Sequence, residues 1–205
     1  MTIWVVKIGG SLAESAALPR WLDIIATAGA GRVVLVPGGG RWADAVREAQ
    51  KQEDFDDRVA HRKALRAMEE FGKILAGMRG NLVPTSAIAQ MREVLRKDHV
   101  PVWMPYEMAI ADARIPETWE VTSDSLAAWL AGELNASTLL LVKSLQMSGA
   151  QPGIEELVRR GWVDAAFAEF ASGAHFRTVL AGRDDEMKVQ VMLAAADAVT
   201  VGSEH

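Results

Sequence analysis

Apolar positions along the chain switch repeatedly between two periods. Residues 4–8, 33–36 and 139–142 are short runs rich in Val, Ile and Leu, the pattern of strands buried on both faces of a parallel sheet. Between such runs the spacing turns helical. Residues 16–28 place Leu18, Trp21, Leu22 and Ile25 on one face, and 41–51 do the same with Trp42, Ala45, Val46 and Ala49. Residues 56–78 carry a longer stripe of His61, Ala64, Leu65, Met68, Phe71, Gly72, Leu75 and Met78. Downstream, the pattern predicts a short strand or loop over 81–88, a helix over 88–96 and a strand over 99–104. A loop or hairpin follows over 105–119, then a helix opening at Thr122-Ser123-Asp124. After the 139–142 strand come a loop (146–153), helices (154–160 and 163–171), a strand (176–180), a helix (184–196) and a last short strand (199–201). Strands alternating with helices predict an α/β fold: a three-layer α/β/α sandwich on a mainly parallel sheet. No repeat or linker divides the chain, so residues 1–205 read as a single domain.

Candidate chemistry lies where the strands stop. The first ends as Lys7-Ile8-Gly9-Gly10-Ser11-Leu12 and the second as Pro37-Gly38-Gly39-Gly40. Glycines are costly to order, and at a strand end they let backbone approach a ligand or another backbone closely. Amides of Gly9, Gly10 and Ser11, with a helix N-terminus behind them, suit an anion, and Lys7 adds a full charge. Consecutive turns of this kind lie together at the carboxyl edge of a parallel sheet, where α/β proteins bind ligands. Neither turn matches Gly-x-Gly-x-x-Gly or the Walker pattern, so the expected phosphate site is of another kind. Arg47 fits either a substrate anion beyond Gly38–Gly40 or a solvated helix surface. His61 fits either a packed stripe or the site. Glu120-Val121-Thr122-Ser123-Asp124-Ser125 has more short polar side chains in succession than one helix cap uses.

Composition narrows the partners. Half the residues are hydrophobic and 24% charged, with a formal net charge of −5. An acidic balance argues against general nucleic-acid binding but leaves small anionic ligands open. The chain has no cysteine, which excludes disulfides, thiolate catalysis and cysteine-bound zinc. No apolar run approaches a membrane span, and the first strand begins too early for a signal peptide, so a cytoplasmic protein is expected. The long 56–78 stripe suggests core packing or a homodimer contact, and a homo-oligomer is the expectation.

The Lys-Ile-Gly-Gly-Ser-Leu opening, the Pro-Gly-Gly-Gly turn and Ser123-Asp124-Ser125-Leu126-Ala127-Ala128, in that order, resemble the amino acid kinase superfamily. The resemblance covers the whole chain and is strongest over 1–144. It implies the carbamate kinase-like fold, with about 1–138 on the acceptor side and 139–205 on the nucleotide side. Trp42-Ala43-Asp44-Ala45-Val46-Arg47, the helix with Ala60-His61 and Ala67-Met68, and Trp119 to Ser125 look closest to the small methanofuran-pathway kinases. Those kinases phosphorylate aminomethylfuran-methyl phosphate. The implied reaction is ATP-dependent phosphorylation of a phosphomonoester in the biosynthesis of a one-carbon carrier, with Mg2+ carried by the nucleotide and no metal-ligating side chain. The rival within the superfamily is a carboxylate or amino-acid kinase making an acyl phosphate, and outside catalysis a silent ligand-binding homologue.

The resemblance also implies roles. Lys7 would hold the transferring phosphoryl group, and Asp124 would organise the lysines rather than act as a base. Gly9, Gly10, Ser11, Lys143, Ser144 and Arg183 would bind donor phosphates. Gly38, Gly39, Gly40, Arg47, His61, Thr122, Ser123 and Ser125 would face the acceptor. Two departures stand out. Lys143-Ser144-Leu145-Gln146-Met147 replaces the family's frequent Thr-Asp-Val-Asp-Gly, and Gly161-Trp162-Val163-Asp164 stands where many members carry a second lysine. Lys143 is the expected replacement for that lysine, ahead of Arg183 and of Lys188, which reads as a surface charge.

Overall fold

In a computed structural model, which describes residues 2–146 and 151–201, six strands form one sheet. They are β1 (Trp4–Ile8), β2 (Val33–Pro37), β3 (Leu82–Thr85), β4 (Val100–Trp103), β5 (Thr138–Val142) and β6 (Arg177–Ala181). Their order is β3-β4-β2-β1-β5-β6, and every pairing is parallel. The helices are α1 (Leu18–Thr27), α2 (Gly40–Glu53), α3 (Asp57–Met78), α4 (Ile88–Leu95), α5 (Tyr106–Ala111), α6 (Ser123–Leu134), α7 (Ile154–Arg159), α8 (Phe167–Ala171) and α9 (Glu186–Val201).

The two-residue period of the strands sorts their side chains into two cores. Val5, Val34, Val36, Leu139 and Leu141 point to the side covered by α6 and α8. Trp4, Val6, Ile8, Leu35, Leu140 and Val142 point to the side of α1. The three layers predicted from the alternation are therefore present, with the central strands buried on both faces.

Lys7 shares a face with Val5, and Lys143 follows β5 on the face of Leu139 and Leu141. Sheet parity thus sends both lysines under α6, the helix that carries Asp124 in its first turn. The amide of Lys143 extends the ladder by one bond, donating to Ala181 O at 2.9 Å.

Four expectations change. The 105–119 stretch opens with α5 instead of a hairpin, because buried Glu69 of α3 accepts the Tyr106 amide at 3.1 Å and satisfies a free N–H of that helix. Residues 199–201 continue α9 and do not form a strand. The helix expected over 163–171 shortens to α8, since the chain before it turns inward and the Ala166 amide donates to Glu120 O. The α3 stripe narrows to core packing: Leu65, Met68, Phe71 and Leu75 are all buried in the two cores, which removes those four side chains from any subunit contact and leaves Val59 and Ile74 exposed on that helix. Residues 147–150 of the expected loop lie outside the described residues. Among the described residues, no helix is long and apolar enough to cross a membrane.

Candidate active site

The two glycine turns meet at the carboxyl edge of the sheet. Gly38 donates to Ile8 O at 2.8 Å and Gly9 to Val142 O at 3.3 Å, so the turn after β1 lies between the ends of β2 and β5. Gly10 and Gly40 touch backbone to backbone: a Cβ on Gly10 would sit 2.1 Å from Gly40 Cα, and Gly40 itself has φ +52°. No other residue fits there, which is the physical reason for glycine in both turns. Among the described residues, the amides of Gly10, Ser11, Gly39 and Gly40 have no hydrogen-bond partner. Gly39 and Gly40 begin α2, so their N–H groups add the positive end of a fourteen-residue helix.

These amides adjoin a cavity of about 240 Å³, lined by Gly10, Ser11, Gly39 and Gly40 on one side and by α3 and the 119–123 segment on the other. Ala64, Leu65, Met68 and Val121 make part of the wall apolar. Arg47 reaches the cavity while its guanidinium lies 4.3 Å from the centre of the Trp119 ring and 3.3 Å from Asp44. His61 also lines it. Its Nδ1 lies 3.1 Å from Thr118 O, and because a carbonyl only accepts, Nδ1 carries the proton. Nε2 is then a bare acceptor, buried and without a partner among the described residues. Burial holds the imidazole below its ordinary pKa, opposed by the Thr118 bond, so the neutral ring is favoured.

Beneath α6 a charge cluster closes the edge. Asp124 Oδ1 lies 2.9 Å from Lys7 Nζ and 2.8 Å from Lys143 Nζ, and its other oxygen lies 2.9 Å from Lys143. Burial by itself would raise the Asp124 carboxyl, but the two ammonium groups more than reverse this and hold it below its usual range. Burial, reinforced by repulsion from Lys7, pushes Lys143 down to about 8, with Asp124 opposing. Lys7 Nζ comes within 3.7 Å of where a Cβ on Gly9 would stand, which ties the cluster to the first glycine turn.

The structure thus brings Lys7, Asp124 and Lys143 together, and places Gly10, Ser11, Gly39, Gly40, Arg47, His61, Thr122 and Ser123 around one cavity. It does not place all the expected residues there. Ser125 is fully buried, and its hydroxyl donates to Asp164 rather than facing an acceptor. Thr122 lines the cavity, yet its hydroxyl also donates to Asp164, at 2.6 Å. Arg183 is half-exposed and pairs with neighbouring Asp184, and Lys188 pairs with Asp185 at the surface. Gly38 is committed to β1, and Ser144 follows the lysine at the same edge. Trp119 and Asp164 were assigned no role from the sequence: Trp119 ends a stretch without a period, and Asp164 falls in the helix expected over 163–171, which begins only at Phe167.

A sequence model described as "Amino acid kinase family" matches residues 2–149, well over half of the chain. The chain belongs to the amino acid kinase family. A curated relative, [5-(aminomethyl)furan-3-yl]methyl phosphate kinase of Methanocaldococcus jannaschii, is 25% identical over 138 residues. The match takes in 67% of this chain and 63% of that relative's length. Among solved structures, uridylate kinase from Archaeoglobus fulgidus superposes with a TM-score of 0.70 at 14% identity, over 94% of this chain and 96% of that one. UMP kinase from Ureaplasma parvum gives 0.68 at 16% identity, over 93% and 94%. These similarities establish the fold, which is that of a phosphotransferase family.

Proposed function

We propose that the protein is an ATP-dependent kinase that phosphorylates a small, ring-bearing phosphomonoester to a diphosphate, in the manner the name of its curated relative describes. The observation that carries this reading is the cavity itself, which joins unpartnered amides at a helix N-terminus to an apolar wall beneath Trp119. Free amides and Arg47 suit the phosphate end of an acceptor, and the Leu65, Met68 and Trp119 side suits a flat apolar body. His61 Nε2 completes the fit. A phosphomonoester has a second pKa of about 6, so it can share its last proton with a buried acceptor nitrogen. A pathway role in assembling a methanofuran-type one-carbon carrier rests on the sequence resemblance alone.

In this reaction an acceptor phosphate oxygen attacks the terminal phosphorus of the donor, and the bond to the departing ADP breaks. Mg2+ on the nucleotide would offset part of the phosphate charge. The chain's own contribution is electrostatic: Lys7 and Lys143 supply two ammonium groups where charge accumulates, and Asp124 holds them there. Lys143 stands in for the lysine lacking at 161–164. Lys143→Met is expected to lower ATP turnover by about tenfold or more, the loss of one charge-assisted hydrogen bond of roughly 1.5–3 kcal/mol. Lys188→Met should behave like wild type. Since Lys143 titrates near 8, kcat/KM should fall as pH rises through that region, because the neutral amine carries no charge to offer. A flat profile to pH 9.5, or a dispensable Lys143, overturns its role.

The substrate test is ADP release against a panel of phosphomonoesters, including an aminomethylfuran methyl phosphate, and of carboxylates with hydroxylamine present. Diphosphate formation from the furan phosphate is expected. Hydroxamate formation from a carboxylate would show the acyl-phosphate reaction instead. We also infer a homodimer across α3, with Val59 and Ile74 at the contact. Light scattering showing a monomer at micromolar concentration overturns it.

A further inference from the structure

The carboxylate of Asp164 makes four hydrogen bonds to the start of α6, and the reaction as derived uses none of them. Oδ2 accepts from Thr122 N at 3.0 Å, from Thr122 Oγ1 at 2.6 Å and from Ser125 N at 3.1 Å, while Oδ1 accepts from Ser125 Oγ. Thr122 stands at the N-cap position but does not cap the helix with its own hydroxyl. The cap comes instead from a residue 42 positions later, between α7 and α8. The neighbouring Ala166 amide adds a bond to Glu120 O at 3.1 Å, so the 164–166 stretch clasps the whole entry to α6.

We propose that Asp164 is a positioning residue for phosphoryl transfer: by capping α6 from outside, it fixes the turn that presents Asp124 between Lys7 and Lys143. The proposal rests on the kinase reading above. Between Thr122 and Ser125, both held by Asp164, lies Asp124, so rotation of this turn would swing the Asp124 carboxylate off one lysine or the other. An ordinary Ser or Thr cap would satisfy one amide and leave the turn tied only to itself. An external carboxylate ties it to the half of the chain that carries β6 and α9. Asp164 also carries charge to the cluster. The groups that bear on Lys143 are Lys7 from β1, Asp124 from α6 and Asp164, and Asp164 acts with Asp124 in favour of the ammonium. Two lysines and two carboxylates make a cluster of zero net charge, so neither lysine is left as an uncompensated buried cation.

The test compares Asp164→Asn with Ser125→Ala. Asparagine keeps one acceptor oxygen but loses the charge; Ser125→Ala loses one bond, keeps the charge, and alters a side chain that no acceptor can reach. Both should lower kcat by about tenfold with the acceptor KM changed less than about twofold, since the interaction matters in the transition state and not in binding. Only Asp164→Asn should move the Lys143 titration to lower pH, by about half a unit or more, as followed by 13C NMR of labelled lysine. Merely structural capping would lower Tm in both and leave kcat and the Lys143 titration in place. A folded Asp164→Asn protein with wild-type kcat and wild-type Lys143 titration overturns the proposal. Should that variant not fold, wild-type kcat in Ser125→Ala overturns it alone. The titration needs no turnover: if the wild-type protein phosphorylates nothing, the kinase reading fails while a titration that still moves keeps the Asp164 link to the lysines.

Discussion

Lys7→Ala is expected to lower phosphoryl transfer by roughly a hundredfold or more, the scale of losing one preorganised electrostatic stabiliser. The residue is 5% exposed and its ammonium lies 2.9 Å from Asp124, so the lysine is a fixed charge and needs no reorganisation as negative charge moves to the bridging oxygen. Its burial changes the expectation for folding. A lysine at a solvated strand end would be removed without consequence, but here Asp124 loses one of two buried partners. A cost of about 1–3 kcal/mol follows, the range for leaving a buried polar group less well satisfied. Lys143 remains in place and softens the loss. It should also gain: without repulsion from Lys7 its pKa rises, so the alkaline fall in the residual kcat/KM moves above pH 8. ADP release measured from pH 6 to 10, alongside urea unfolding, checks all three effects. A folded variant with wild-type turnover would remove Lys7 from the chemistry.

Much of this site could be read from local patterns, and the reason is the sheet. Lys7, Gly9, Gly10 and Gly38–Gly40 follow strands whose apolar runs are unmistakable, and parallel strands deliver their ends to one edge. Parity then places Lys143 beside Lys7, although 136 positions separate them in the chain. What the pattern does not carry is side-chain partnership across irregular segments. The resemblance implies acceptor contacts for Thr122 and Ser125, and their short polar side chains beside Asp124 fit that role. Their hydroxyls instead answer to Asp164, which the spacing puts inside a helix over 163–171 and the structure puts in the turn before α8. The 56–78 stripe left core packing and a dimer contact both open. The 22-residue α3 feeds both cores, Leu65 and Met68 one, Phe71 and Leu75 the other, a division between two sheet faces that a single stripe does not announce.

Asp124→Ala should combine the loss of activity with the largest loss of stability at this site. Removing one member of a buried charge group typically costs about 3–5 kcal/mol, because what remains is desolvated and uncompensated. Two ammonium groups would remain, repelling each other beneath α6. The chain has one relief, which is to release a proton from Lys143. That amine already titrates near 8 with Asp124 present, and without the carboxylate it must titrate lower still. In the unfolded chain a lysine holds its proton to about 10.4, so above the folded pKa the unfolded state binds more protons and stability rises with pH. In the variant that rise begins at the lower pKa; in the wild type it begins near 8. The gap between the two proteins should therefore narrow between pH 6 and pH 8. At the acid end it should also shrink, because Asp124, held below its usual range by the two lysines, loses its contribution once protonated. The expected difference curve is thus widest around pH 5–6, measured by urea denaturation of both proteins across pH 3 to 9. A variant as stable as wild type at pH 6, or a gap that widens toward pH 8, would mean that Asp124 does not hold two charged lysines in the folded protein.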